Sequence, residues 1–374
     1  MENYVEDKSK RKGGILTWLI TNLSRILISL VVPIGLFVIL WQGFLFLRDS
    51  NAPQIVLVLV AIVWGVGGVA ALFWVTNWLV EKMPGEWTRR IQPFVFVGPA
   101  LALLAWYLFI PAVRTLILSF QNDISNQWVG FANYLYAFTD RVMLDAFRNN
   151  VLWLVFGTLF SVGIGLLVAV LADRSRYETI YKVLIFLPMA ISFVGAGVIW
   201  KFIYAYQGQG VGVKEIGLLN AIVVGLGGTA QPWLTIPPVN NFFLIVIMVW
   251  LQTGFAMVIL SSAIKGIPAE LLEAARVDGA NEFKIFFSII IPSIVGTLIT
   301  VTTTIVIFSL KLFDVVYVMT GGNFGTTVIA NEFYLQRFTY GNAGRASAIA
   351  IVLLLLTTPV MIYNLRQFNE RRAF

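Results

Sequence analysis

The chain contains neither cysteine nor histidine, and Asp, Glu, Lys and Arg together make up only 12% of its residues. Without cysteine there can be no disulfide, no iron–sulfur cluster and no thiolate zinc site. Without histidine, the commonest metal ligand and general acid–base group is also missing. Most catalytic and metal-binding constellations are therefore excluded, and we expect no catalytic residue, no metal site and no cofactor on this chain.

Apolar residues take the place of the missing charges. They make up 59% of the 374 residues, which is more than a water-soluble domain uses. Apolar runs long enough to cross a membrane occur near 17–47, 55–80, 94–120, 148–172, 182–206, 242–264, 290–315 and 346–366. Because the alternating pattern of a membrane barrel is absent, we predict an all-α integral membrane protein with about eight transmembrane helices in contact with lipid.

Successive spans place their connections alternately on the two sides of the membrane, and basic residues are distributed unevenly between these two sides. The connections on the side of the termini hold Lys8, Lys10, Arg11, Lys12, Lys82, Arg89, Arg90, Arg174, Arg176, Lys182, Lys265, Arg276, Lys284, Arg366, Arg371 and Arg372. The opposite connections hold fewer, namely Arg48, Arg141, Arg148, Lys214, Arg337 and Arg345. Since Lys and Arg are enriched in cytoplasmic loops, both termini are predicted to be cytoplasmic. The same bias explains the net charge of +7, so no nucleic-acid partner is expected.

The spans fall into two groups along the chain. Residues 1–92 hold two spans joined by a short external turn, and they are predicted to form an N-terminal extension. Residues 93–374 hold six spans with larger connections, and they are predicted to form the functional core.

A polar, helix-forming segment at 265–292 separates two apolar runs of the core. Pro268 suits the first turn of a helix, and Gly279 is expected to end that helix before a second short helix begins. One apolar stripe along the first helix is formed by Ile267, Leu271, Leu272 and Ala275. Two short helices at a fixed angle outside the bilayer are suited to the groove of another protein. This segment is therefore predicted to receive force from that protein and not to carry out chemistry.

The alternative is an amphipathic hairpin that lies on the membrane surface. Its polar face, however, is acidic, with Glu270, Glu273, Asp278 and Glu282. An acidic face suits an anionic cytoplasmic leaflet poorly, which favours docking to a protein.

The segment resembles the cytoplasmic loop of permease subunits of ATP-binding-cassette (ABC) importers, in the form found in maltose-type sugar permeases. The residues that carry the resemblance are Glu273-Ala274-Ala275, Asp278-Gly279-Ala280, Phe286-Phe287, Ile289 and Pro292. Segments 107–120, 187–192 and 317–322 agree in order and spacing. The resemblance covers roughly residues 93–367 and is closest to permeases for α-glucosides.

This resemblance implies a type I ABC importer permease fold with a cytoplasmic coupling-helix loop, in the plasma (inner) membrane. It implies a second related permease, a cytoplasmic ABC ATPase dimer that holds ATP and Mg, and an external solute-binding protein. It also implies that Glu273, Ala274, Ala275, Asp278, Gly279 and Ala280 form the contact with the ATPase. No Gly-Lys dipeptide occurs in the chain, so a phosphate-cradling loop is absent and ATP hydrolysis is expected on a separate subunit.

The resemblance further implies a carbohydrate substrate, such as maltose, trehalose, sucrose or a glucosylglycerol-like compound, moved by alternating access. The positions that match the sugar site of the family are Met189, Phe193, Leu251, Gln252, Phe255, Ile305 and Ser309. Gln252 is the first candidate for a hydrogen bond to the sugar, and an interhelical hydrogen bond is its alternative role.

Ionisable residues inside the spans are expensive and therefore candidates for function. Lys311 and Asp314 are three residues apart on one predicted helical face, where they either pair with each other or line the path, and Lys201 either lines the path or reaches the membrane surface. Carboxylates are otherwise scarce in the spans. The alternative function, a stand-alone secondary carrier or channel, is therefore disfavoured, and so is a membrane-embedded enzyme.

Overall fold

The computed structural model describes residues 15–81, 85–207 and 217–370, and side chains over 31–81, 89–207 and 217–366. Within these ranges the secondary structure is helical apart from an isolated antiparallel bridge between Gln121 and Trp128, which confirms the all-α prediction. Some of the basic residues used to predict orientation lie outside the described residues: Lys8, Lys10, Arg11, Lys12, Lys82, Lys214, Arg371 and Arg372.

Packing divides the chain into two compact units, Met1–Pro111 and Ala112–Phe374. This division does not test the functional boundary after residue 92, which stays a prediction. The helices of the first unit are α1 (Ile15–Asp49), α2 (Gln54–Glu81) and α3 (Gly85–Leu104), followed by a π-helical turn at Ala105–Phe109. The boundary itself lies in α4 (Ile110–Leu118).

Neighbouring helices of the first unit make few specific contacts. Trp64 Nε1 donates a hydrogen bond of 2.9 Å to the carbonyl of Leu40, which joins α2 to α1. Phe73 and Phe96 stack with ring centroids 6.1 Å apart and join α2 to α3. Most apolar side chains of these helices are exposed, as expected for surfaces that face lipid or other membrane helices.

The second unit contains the remaining helices. They are α5 (Ala132–Thr139), α6 (Arg141–Leu152), α7 (Thr158–Asp173), α8 (Glu178–Phe186), α9 (Phe193–Ile203), α10 (Leu218–Gly225), α11 (Asn240–Lys265), α12 (Ala269–Val277), α13 (Glu282–Ile285), α14 (Ile291–Leu310), α15 (Asp314–Met319), α16 (Ile329–Tyr334) and α17 (Ala343–Glu370). π-Helical turns join some of them at Trp153–Gly157, Phe286–Ile290 and Leu335–Thr339.

The number of spans agrees with the sequence. In the described part of the chain, 7 helices are long and apolar enough to cross a membrane, or 8 if one bent pair counts as a span. These spans are Val31–Asp49, Gln54–Glu81, Arg89–Leu118, Arg141–Asp173, Asn240–Lys265, Glu282–Leu310 and Ala343–Arg366. The bent pair is Glu178–Ala190 with Phe193–Ile203.

The bent pair corrects the prediction of a continuous span at 182–206. The two helical pieces meet at an angle of 103°. Ile191 is extended, and the Ser192 hydroxyl accepts a hydrogen bond of 3.0 Å from the Gly195 amide, so that Ser192 caps a new helix. An apolar run in the sequence indicates that a segment is hydrophobic, but it does not indicate the direction of the helix axis. The break within 182–206 is therefore not predictable from it.

The second short helix predicted after Gly279 is not a separate element. α13 continues through the π-helical turn Phe286–Ile290 into α14, and the span is uninterrupted from Glu282 to Leu310. The π-helical turn comes directly before Pro292, whose ring and missing N–H do not fit regular α-helical bonding to the preceding turn.

The prediction that Lys311 and Asp314 share one helical face is also wrong. α14 ends at Leu310, and α15 begins at Asp314 after a non-helical link. Among the described residues, no ion pair joins these two side chains.

α11 lies at the centre of the second unit and packs against α7, α8 and α14. The largest apolar side chains that are fully buried along it are Leu244, Ile247, Met248, Leu251, Met257 and Leu260. α7 approaches α11 closely because Gly165 has no side chain: a Cβ placed there would lie 2.6 Å from Ala256 Cβ and 3.0 Å from the Met257 nitrogen. Small residues at such crossings are a general device of membrane helix packing.

Asparagines fix the irregular loop that follows α15. Asn149 Nδ2 donates hydrogen bonds of 2.8 Å to the carbonyls of Gly325 and Thr327, and Asn240 Nδ2 donates one of 2.8 Å to the carbonyl of Phe324. These side chains supply the partners that the backbone of a loop lacks. The loop is thereby tied to both α6 and α11.

We predict that Gly165→Leu destabilises the second unit, because the larger side chain collides with Ala256 and forces α7 away from α11. Overpacking of this kind costs about 1–3 kcal/mol. The melting midpoint of the detergent-solubilised protein should fall. Gly67→Leu is the control, since no atom lies within 4 Å of a Cβ at that position. Equal midpoints for the two variants would contradict the proposed contact.

Candidate functional site

The segment at 265–292, called the coupling segment here after its predicted role, is built around α12, the helix that follows Pro268. Its C-terminus is closed by two backbone hydrogen bonds, from Gly279 to the Arg276 carbonyl (3.0 Å) and from Ala280 to the Ala275 carbonyl (3.0 Å). Gly279 has a φ of +80°, which a residue with a side chain adopts only at a cost. This arrangement is a Schellman motif, and it fixes where the helix ends.

The predicted coupling residues divide into an outer and an inner group. The exposed ones are Glu273, Ala274, Asp278 and Gly279. Ala275 and Ala280 are half-buried and pack against the core of the second unit. The segment therefore exposes acidic and small residues on one face, and its opposite face packs against the core of the second unit through apolar side chains.

The apolar stripe of α12 is narrower than its sequence predicts. Ile267, Leu272 and Ala275 pack against the core, but Leu271 is 47% exposed. One further apolar residue of the segment, Val277, projects outward and is 88% exposed. The exposed surface is thus partly apolar, which suits contact with a protein.

Ion pairs connect the coupling segment to the ends of the spans. Glu282 pairs with Arg174, which follows α7, and with Arg276 of α12 at 3.2 Å. The side chain of Asn281 accepts a hydrogen bond of 2.8 Å from the Lys284 amide and caps α13. The contact between Arg174 and Glu282 is not predictable from local sequence, because the two residues are 108 positions apart along the chain.

A second ionic cluster joins the neighbouring ends of α7, α8 and α11. Lys182 pairs with Asp173 and Glu178, and Glu178 also pairs with Lys265. Ser261 Oγ donates a hydrogen bond of 2.7 Å to Asp173 Oδ1. From the sequence, Lys182 and Lys265 are only loop charges that indicate orientation, whereas in the structure they form ion pairs that join three helix ends.

The predicted sugar-site residues lie on α9, α11, α14 and the short 3₁₀ turn Leu187–Ala190. Leu251 and Ile305 are fully buried in the core cluster and present no free surface. Phe193 and Phe255 are half-buried and pack against that cluster, while Met189 is 44% exposed. These residues occupy adjoining elements, but they do not all line one surface.

Two polar residues in this region have unused hydrogen-bonding groups. Ser309 is 1% exposed, and its Oγ has no partner. Gln252 is 9% exposed, and no described residue forms a hydrogen bond with its side-chain amide; its role stays a prediction. Beside them Phe193 stacks on Phe308 with ring centroids 4.9 Å apart.

A polar cluster around Glu332 was not predicted from the sequence. The carboxylate of Glu332, which is 2% exposed, accepts hydrogen bonds from Tyr136 (3.2 Å) and Gln336 (2.8 Å). The Arg345 guanidinium lies 4.1 Å from the Tyr136 ring centroid. Burial, together with the nearby Glu332 carboxylate, raises the pKa of the Tyr136 phenol. The cluster joins α5, α16 and α17. Across the described ranges, no group of 3 or more acidic side chains is arranged to hold a metal ion.

The sequence is similar to transport proteins of known type. It is 58% identical over 277 residues to the osmoprotective compounds uptake permease protein GgtC of Synechocystis sp., covering 74% of this chain and 99% of that protein. It is 46% identical over 327 residues to the alpha-glucoside transport system permease protein AglF of Rhizobium meliloti, covering 84% of this chain and 97% of that protein.

The fold is similar to that of a solved bacterial alginate ABC transporter, with a TM-score of 0.64 at 19% identity over 74% of this chain and 93% of the transporter chain. Residues 161–372 match the model of one protein family. This chain therefore belongs to the family of binding-protein-dependent transport system inner membrane components, the multi-pass permeases of such systems.

Proposed function

We propose that this chain is the permease subunit of an ATP-driven importer and that α12, with its exposed end at Asp278 and Gly279, docks in a cleft of a separate cytoplasmic ATPase. The observation that carries the proposal is the coupling segment itself. Its outer face is exposed, its C-terminus is fixed at Gly279, and its inner face is packed on the spans. ATP and Mg are bound by the ATPase dimer. A second related permease and an external binding protein complete the transporter.

The proposed substrate is an α-glucoside or a related small carbohydrate. The names of the relatives support this class, since one is an alpha-glucoside permease and the other takes up osmoprotective compounds. The half-buried ring of Phe193, the unpaired hydroxyl of Ser309 and the side-chain amide of Gln252 suit a sugar, which offers C–H faces for stacking and hydroxyls for hydrogen bonds.

Transport proceeds by alternating access. Closure of the ATPase dimer displaces α12, and the displacement reaches the core through the half-buried side chains of Ile267, Leu272 and Ala275. The spans then reorient and open the sugar site to the outside, and hydrolysis returns them. In this orientation the coupling segment and both termini are cytoplasmic, as the distribution of Lys and Arg indicates.

Docking is testable by crosslinking, because the chain has no natural cysteine. We expect a photoactivatable thiol label on Val277→Cys, which is exposed beside Asp278, to attach to a nucleotide-binding subunit in native membranes. Val224→Cys in α10 is the control, since it lies in a connection predicted on the opposite side of the membrane. Efficient labelling at Val277 without an ATPase adduct would refute docking.

The bend at Gly279 gives a second test. A β-branched side chain is strained at a φ of +80°, whereas asparagine tolerates this region. We expect Gly279→Val to reduce coupled uptake severalfold while the complex still purifies, and Gly279→Asn to retain most activity. Uptake and ATP hydrolysis measured in the same proteoliposomes report the coupling. Equal uptake by the two variants would show that coupled transport does not require the left-handed backbone conformation at Gly279.

The sugar site is tested at Gln252. Gln252→Leu should raise the KM for uptake by roughly two- to tenfold, the effect of losing a hydrogen bond of about 0.5–1.5 kcal/mol. Thr253→Val is the matched control, because the Thr253 hydroxyl is already engaged by the Val249 carbonyl at 2.6 Å. Maltose and trehalose uptake by the reconstituted complex provides the measurement. Unchanged kinetics for both sugars in Gln252→Leu would exclude this residue from the site.

A further inference from the structure

An apolar groove runs between α7 and the first turns of the span Glu282–Leu310. Its volume is about 680 Å³. This is several times the ~150 Å³ apolar cavity that accommodates benzene, so the groove has room for a long hydrocarbon chain. It is separate from the predicted sugar site, with which it shares no residue.

The walls of the groove are aliphatic and aromatic. Their residues recur at helical spacing, which places them along the facing sides of two helices. The first wall consists of Gly163, Leu166, Leu167, Val170 and Leu171, and the second of Phe283, Phe286, Phe287 and Ile291. Such a surface offers no hydrogen-bonding partner to a sugar or to water, but it suits an acyl chain.

The charged residues of the groove lie together at the end where α7 stops and α13 begins. Arg174 and Glu282 are part of the lining, and Arg276 pairs with the same Glu282 carboxylate. Two guanidinium groups therefore share one carboxylate and leave an excess positive charge. All three side chains are about half exposed and accessible to an anion.

Lipid is the occupant that matches both ends of the groove. The walls belong to two membrane-spanning segments, Arg141–Asp173 and Glu282–Leu310, so they lie at the depth of the hydrocarbon. Their charged end lies at the terminus of both spans, where headgroups are found. An apolar helix of another protein would fill the walls but would leave the guanidinium groups without an anion, whereas a phosphate forms strong bonds with arginine.

We propose that this groove is a binding site for an anionic glycerophospholipid, with one acyl chain between α7 and the Phe283–Phe287 side and the phosphate at Arg174 and Arg276. The phosphate competes with Glu282 for the two arginines. Because the Glu282 carboxylate pairs with Arg174 after α7 and with Arg276 of α12, the bound lipid changes the electrostatic attachment of the coupling segment to α7. Anionic lipid is therefore a regulator of coupling.

The test uses the purified transporter complex in detergent, with phosphatidylglycerol and phosphatidylcholine of identical acyl chains as probes. Native mass spectrometry counts retained lipid, and a melting curve reports stabilisation. We expect the wild-type complex to retain phosphatidylglycerol preferentially and to melt at a higher temperature with it. Equal retention and equal stabilisation by the two lipids would overturn the proposal.

Two variants separate the acyl chain from the headgroup. Leu167→Trp fills the groove and should abolish retention of both lipids, whereas Leu159→Trp, an exposed position on the same helix outside the groove, should retain them. Arg174→Gln should lower the preference for phosphatidylglycerol by about fivefold, the equivalent of ~1 kcal/mol for one basic residue at an anionic surface.

The alternative occupant is a neighbouring membrane protein. A photoactivatable label on Leu167→Cys should react with lipid in the assembled complex. Crosslinking to a protein chain instead, or undiminished lipid retention in Leu167→Trp, would refute the lipid site.

Discussion

The structure depends on the burial of one face of α12 against the ends of the membrane-spanning helices. Ile267, Leu272 and Ala275 supply this contact, and Ala280 extends it beyond the helix. Without this contact, α12 would be joined to the spans only through the chain on either side of it. A displacement of its acidic outer face would then not reach α11. Since dense apolar packing transmits displacement with little loss, these few side chains connect the exposed face of α12 to the core of the second unit.

Features that depend on local chemistry could be predicted from the sequence. Apolar length identified the spans, and Pro268 and Gly279 marked the limits of α12, because proline and glycine act on the backbone at their own positions. The family was predictable for the same reason, since its signature is a short contiguous segment. Family membership then follows from similarity over most of the chain.

Features that depend on distant parts of the chain could not be predicted. The pairing of Arg174 with Glu282 and the contact of Gly165 with Ala256 require the tertiary fold. Leu271 fits the apolar stripe by spacing, but it faces outward because the core ends beside it. The candidate sugar site shows the same limit: Gln252 was identified by its type, whereas the burial of Leu251 and Ile305 depends on how α11 packs against α14.

The fixed end of α12 at Gly279 has a mechanical consequence. The helix has 9 residues, so at 1.5 Å per residue it is a stiff lever about 13 Å long. A tilt of about 10° about its anchored end moves the free end by roughly 2 Å, which is the scale of helix shifts in switching proteins. Under the proposed docking, a small angular change in the ATPase suffices to move α12 by this distance, and fraying of its last turn would shorten the lever.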